Sequence, residues 1–176
     1  PELKADSLRG ELNEKNVQAL VKGEFHALGK TGFAVLWTKR KWIVACKKAD
    51  AEAGTVTLVL DGKNGKNAFL SYPDCGIRYS PAGDSLSSFH YSRRFSEDEI
   101  VYEEIAWNNR IETVDGQQLY IIAVPWYDTG VIPFGGRRMG MVAYLSRGGK
   151  VVEAVPDEAQ WDLPGTWADL VLVGSE

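Results

Sequence analysis

A chain of 176 residues with 44% hydrophobic and 25% charged residues has the make-up of a single folded domain over residues 1–176, without the apolar depletion of disordered chains. Its net charge of −4 excludes whole-chain attraction to nucleic acid, and no apolar run approaches the roughly 18–20 residues of a membrane-spanning helix. Two cysteines and two histidines are too few for a disulfide scaffold or a zinc site, so no metal and no cofactor is expected.

In chain order, Asp6 or Ser7 can cap a helix running to about Lys22, with Leu8, Leu12, Leu20 and Val21 on or near one face. The N-terminal residues contain no hydrophobic signal core, which predicts a cytoplasmic protein, or a secreted one if a signal peptide has been removed. From Glu24 the pattern changes to strands. Phe33–Trp37, Trp42–Cys46 and Thr55–Leu60 are rich in β-branched and aromatic residues and read as a meander. Asp61-Gly62 and Asn64-Gly65 supply turn chemistry before Asn67–Tyr72, which continues the sheet.

Pro73–Pro81 reads as a loop and Leu86–Phe95 as another strand. Ser96-Glu97-Asp98-Glu99 has the form of a capping box, with three acids suited to the positive end of a helix dipole; it predicts a helix over Glu97–Asn108, with a strand as the rival. Ile111–Val114 and Leu119–Val124 around Asp115-Gly116 make the clearest hairpin, and Met139–Leu145 with Val151–Val155 around Arg147-Gly148-Gly149 a second. Leu170–Val173 reads as a strand docked on the core. The absence of strand–helix alternation argues against a doubly wound parallel sheet. The expected fold is α+β and mainly antiparallel β: a single-domain β-sandwich or barrel-like sheet with an N-terminal helix and one or two further short helices.

The leading site candidate lies between the two hairpins. Trp126, Tyr127 and Phe134 offer ring faces for stacking, while Asp128, Arg137 and Arg138 supply orienting charge. Such a set suits a small polar ligand, a glycan, a lipid head group or a protein partner, and exposed rings suit a homodimer interface as well. The competing reading is that Pro125 and Pro133 brace a connection whose aromatics seal one end of the sheet. Gly135-Gly136-Arg137-Arg138-Met139-Gly140 has the donors for an anion but lacks the Gly-Lys-Ser/Thr ending of a phosphate-binding loop.

Cys75 and His90 are the one nucleophile and base pair available for acyl transfer, with Asp74, Asp84 or Glu99 to orient the imidazole. Their separation of fifteen positions is similar to that in toxin deamidases of the cytotoxic-necrotizing-factor type, which implies a deamidating or acyl-transfer enzyme as an alternative. A third reading, a small cytoplasmic inhibitor or immunity-type protein, would use the acidic face Glu97–Glu104. His26 reads as a structural histidine. The residues favour a non-enzymatic binding or interaction protein that presents residues 126–138.

The layout resembles the actinoporins: a chain of similar length, a leading amphipathic helix, a β-sandwich, and an apolar strand entering an aromatic loop. That family carries a Val-Pro-Phe-Asp-Tyr run that helps to bind phosphocholine lipids; here Val124, Pro125 and Trp126 match its start, and Tyr127 and Asp128 stand in reversed order. The resemblance implies a rigid β scaffold presenting an aromatic loop. This chain departs from the family in its acidity, its polar leading segment and its lack of the following tryptophan-rich run.

Overall fold

The computed structural model describes residues 2–8, 25–65, 74–82, 85–94, 97–103, 108–114, 116–160 and 163–174. The first strand, β1 (Glu2–Ser7), alternates exposed Glu2, Lys4 and Asp6 with buried Leu3 and Ala5. This period of two is that of a strand with one face on a core. It replaces the expected start of an N-terminal helix: Asp6 and Ser7, read as caps, are extended residues paired with β3. The rest of that expected helix, including Leu12, Leu20 and Val21, falls outside the described residues.

Three strands follow: β2 (His26–Leu28), β3 (Thr31–Trp37) and β4 (Lys41–Lys47). Along β3 every residue is buried, Phe33, Val35 and Trp37 in the main core and Ala34 and Leu36 in a second cluster on the opposite face. The expected meander ends there. After a short turn at Ala51–Ala53, β5 (Thr55–Asp61) leaves β4 and pairs instead with β6 (Cys75–Tyr79) and β11 (Arg138–Arg147). The segment Pro73–Pro81, expected as a loop, therefore contributes a sheet strand whose Cys75, Ile77 and Tyr79 are buried. The expected strand Asn67–Tyr72 lies outside the described residues.

β7 (Leu86–Arg94) and β8 (Glu97–Glu103) extend this half of the sheet, so the capping-box acids belong to a strand and not to a helix. The register sets Arg94 opposite Glu97 and Arg93 opposite Asp98. Opposite charges at facing positions favour an antiparallel pair, whereas an isolated helix here has no apolar stripe to bury. Then come β9 (Asn108–Val114), β10 (Gln117–Pro125), β11, β12 (Lys150–Val155) and β13 (Ala168–Val173). Both expected hairpins form, β9 on β10 and β12 on β11, and the final apolar run is β13, paired with β1 and β11.

The order across the sheet is β8-β7-β6-β5-β11-β13-β1-β3-β4-β10-β9, with β12 on β11 and β2 on β3. β1 is parallel to both of its neighbours and joins the two halves, which are otherwise antiparallel. The sheet curls so that one face encloses a core drawn from both halves, Leu58 and Ile77 from one and Val44 and Ile122 from the other. Smaller clusters back it: Ile43, Ala45, Leu119 and Ile121 on one outer face, and Val59, Val142, Tyr144 and Trp167 on the other. The chain is thus a β-rich, mainly antiparallel single domain. Among the described residues no helix exceeds the four residues of α1 (Trp126–Thr129), which corrects the α+β expectation of an N-terminal helix and further helices.

Candidate functional site

β10 sends every second residue inward: Tyr120, Ile122 and Val124 lie in the main core, and Trp126 continues the alternation although the strand has just ended. Trp126 is 3% exposed. Its indole Nε1 donates to the Thr38 carbonyl at 2.8 Å, and its backbone amide donates to the Arg40 carbonyl at 3.0 Å. The ring is therefore an anchor that fixes α1 to the turn between β3 and β4 and offers no face to a ligand.

The chain then turns sharply. The Thr129 hydroxyl donates to the Trp126 carbonyl at 2.8 Å, and Gly130 closes α1 in the left-handed conformation at φ 66°, which glycine adopts without strain. Val131 is buried, packed against Gly62 of the turn that follows β5. Further on, the Gly136 amide donates to the Leu172 carbonyl at 2.7 Å and the Leu172 amide to the Arg137 carbonyl at 3.0 Å. Arg137 reaches across to the same β5 turn, its Nη2 donating to the Gly62 carbonyl at 3.0 Å, and its guanidinium lies 5.7 Å from the centroid of the Phe134 ring.

These ties leave three large apolar side chains outside: Tyr127 at 93%, Ile132 at 77% and Phe134 at 52% exposure. Only two other large hydrophobics among the described residues, Val151 and Val152, are exposed, so the rings concentrate in one braced loop at one end of the sheet. Exposed rings on a fixed backbone lose little entropy when a planar face stacks on them. The rest of the expected set divides. Arg138 is held by Glu2 at 3.1 Å and Asp169 at 3.4 Å, away from Phe134's partner Arg137. Asp128 belongs to α1, and its side chain lies outside the described residues. In the glycine-rich run, the Gly136 and Arg137 amides already donate to carbonyls.

The register places Cys75 directly opposite His90 on adjacent strands, so these two positions meet in the fold. Cys75 is 5% exposed and belongs to the main core, and Asp74 is 3% exposed. The His90 side chain lies outside the described residues, as do those of Glu97–Glu103; Asp84 and Glu104 lie outside them altogether. The other thiol, Cys46, is buried beside the Tyr79 hydroxyl, and burial pushes its pKa up to about 12. His26 stacks obliquely on Phe33, with ring centroids 5.3 Å apart. Among the described residues no three His, Cys, Asp or Glu side chains gather as metal ligands, and no helix is long and apolar enough to cross a membrane.

Two features escaped the sequence reading. The alternation of β10 marks Trp126 as inward and Tyr127 as outward, a distinction available from Tyr120, Ile122 and Val124. The turn carrying Lys39, Arg40 and Lys41 lies against the start of the loop, and nothing local in the sequence links residues so far apart.

No protein-family model matches the chain, and no curated protein matches it. Solved structures do. It is similar to a family 9 carbohydrate-binding module from Caldicellulosiruptor kristjanssonii in complex with cellotriose, at a TM-score of 0.61 and 10% identity over 100% of this chain and 95% of that one. A second structure of a family 9 module from the same organism, in complex with glucose, aligns at a TM-score of 0.57 and 12% identity over 100% of this chain and 97% of that one. At these identities the likeness establishes a shared fold across the whole chain.

Proposed function

We propose that this chain is a non-enzymatic glycan-binding module whose contact surface is the loop between β10 and β11. The observation that carries this reading is the placement of Tyr127 and Phe134: two solvent-exposed rings on a loop pinned by Trp126, Thr129, Val131 and Arg137. The apolar face of a pyranose ring stacks on an aromatic face, and each stack of this kind contributes on the order of 1 kcal/mol. Whole-chain likeness to modules solved with cellotriose and with glucose supports a sugar as the stacked group.

The test is direct binding of the full chain to a panel of oligosaccharides that includes cellotriose, followed by calorimetry. Tyr127→Ala and Phe134→Ala are each expected to weaken the best ligand by about fivefold to tenfold, the loss of one stacking contact. Absence of binding to every glycan, or binding that survives both substitutions unchanged, would remove the proposal.

A further inference from the structure

The turn between β3 and β4 places a run of cations beside the most exposed ring of the loop. Lys41 stands directly opposite Pro125 in the β4–β10 register, and the Arg40 carbonyl accepts the Trp126 amide at 3.0 Å. Tyr127 is the next residue, so its Cα lies within about 10 Å of the Arg40 Cα, inside the combined reach of the two side chains. Lys39 and Arg40 are exposed and Lys41 is half-buried. Arg40 and Lys41 have no carboxylate partner among the described residues, in contrast to Arg138, whose charge is met by Glu2 and Asp169. The loop itself contributes one acid, Asp128.

Resting on the glycan-binding reading above, we infer that the site takes an anionic sugar, its ring stacked on Tyr127 and its acidic group held by Arg40 and Lys41. A guanidinium gives a carboxylate or sulfate two parallel charge-assisted hydrogen bonds, and it gives a neutral hydroxyl much less. Exposed cations next to a stacking ring therefore suit a sugar that carries both a flat apolar face and a negative charge. Nucleic acid shares the two chemistries but needs a broad positive field, and a net charge of −4 opposes it.

The experiment compares trigalacturonate, a sulfated trisaccharide, cellotriose and a short single-stranded DNA by calorimetry at low and at physiological salt, using the full chain. One or both anionic sugars are expected to bind at least about tenfold more tightly than cellotriose, with affinity falling as salt rises. The carboxylated and sulfated arms tell which acid is preferred. Arg40→Ala and Lys41→Ala are expected to remove that preference while leaving cellotriose unchanged, whereas Tyr127→Ala weakens both classes. Lys150→Ala, an exposed cation on β12, serves as the control for net charge. Cellotriose bound through Tyr127 with no preference for acid would overturn this inference and leave the glycan-binding reading intact; failure of every sugar to bind would sink both. Tighter binding of the DNA than of any sugar, lost in Arg40→Ala, would overturn it in favour of a nucleic-acid site.

Discussion

Trp126 and Thr38 are joined by a buried hydrogen bond, indole Nε1 to carbonyl oxygen at 2.8 Å, across 88 residues of sequence. Together with the amide bond from Trp126 to Arg40, it makes one residue the fastening point between the aromatic loop and the β3–β4 turn. The aromatic pair Trp126-Tyr127 thus splits its duties: the first ring holds the loop and the second faces solvent.

Trp126→Ala removes a nearly fully buried indole, and large cavity-forming substitutions of this type cost about 3–5 kcal/mol. Trp126→Phe keeps most of the apolar volume but leaves the Thr38 carbonyl without its donor, at a cost of about 1–3 kcal/mol. Urea melts of both variants check the order. A Trp126→Ala protein as stable as the parent would show that the indole is not the anchor described.

Gly135 is pressed against the last described turn of the chain: a Cβ there would overlap the Gly174 carbonyl oxygen, a backbone atom that cannot swing aside. Gly135→Ala is therefore expected to push residues 134–136 outward and to weaken glycan binding severalfold, with a stability loss of about 1–3 kcal/mol from overpacking. Gly136→Ala provides the comparison. Its Cβ meets nothing within 4 Å, but its φ of 87° strains an alanine, so it is expected to lower stability with a smaller effect on binding. Equal losses of affinity in the two variants would contradict the role given to the Gly135 contact.

Hairpins were legible because their information is local. Arg147-Gly148-Gly149 joins two β-rich runs, and both glycines adopt the positive φ that such a turn demands, 55° and 75°. Strand β13 was legible from its apolar run. What escaped was non-local. The alternation in Glu2–Ser7 is too short to outweigh a capping residue, and β1 is a strand because it pairs in parallel with β13, some 167 residues away, and with β3. The acids at Glu97–Glu99 satisfied a local helix signal, yet they are strand residues because β7 places Arg93 and Arg94 across from Glu97 and Asp98. The site shows the same division: an aromatic loop can be read from residues 126–138, and the alternation Tyr120, Ile122, Val124 tells which ring turns inward, but the cationic turn is brought beside it only by the pairing of β4 with β10.

Alkaline pH is expected to destabilise the fold from within its core. Cys46 is buried, and its pKa is raised from 9.0 to about 12, first by loss of solvation and only partly offset by contacts with Tyr79 and Tyr120. Tyr79, fully buried beside it, is raised well above 10 for the same leading reason. In the unfolded chain both groups lose their protons at ordinary values, so above about pH 9 the unfolded state is favoured progressively. The stabilisation is complete below pH 9 and lost as pH climbs towards 12. The melting temperature should be flat from pH 7 to 8.5 and fall steeply above pH 9, less steeply in Cys46→Ala, and Cys46 should resist alkylation at pH 8 until the protein is denatured. Rapid labelling of Cys46 in the folded protein would contradict this environment.

Arg137 is expected to act through Phe134 and not as a separate contact. Its Nη2 is committed to the Gly62 carbonyl, its Nε is buried, and its guanidinium lies over the Phe134 ring. A residue used in this way fixes the angle of the ring that the proposed site offers to a ligand. Arg137→Ala should then weaken glycan binding only while Phe134 is present. In a double-mutant cycle, the Arg137→Ala and Phe134→Ala losses should overlap almost completely, with a coupling of about 0.5–1.5 kcal/mol. Arg137→Lys restores the charge but not the planar group that spans Gly62 and Phe134, so it should behave like alanine. Additive losses, or full rescue by lysine, would instead mean that Arg137 meets the ligand with its own charge.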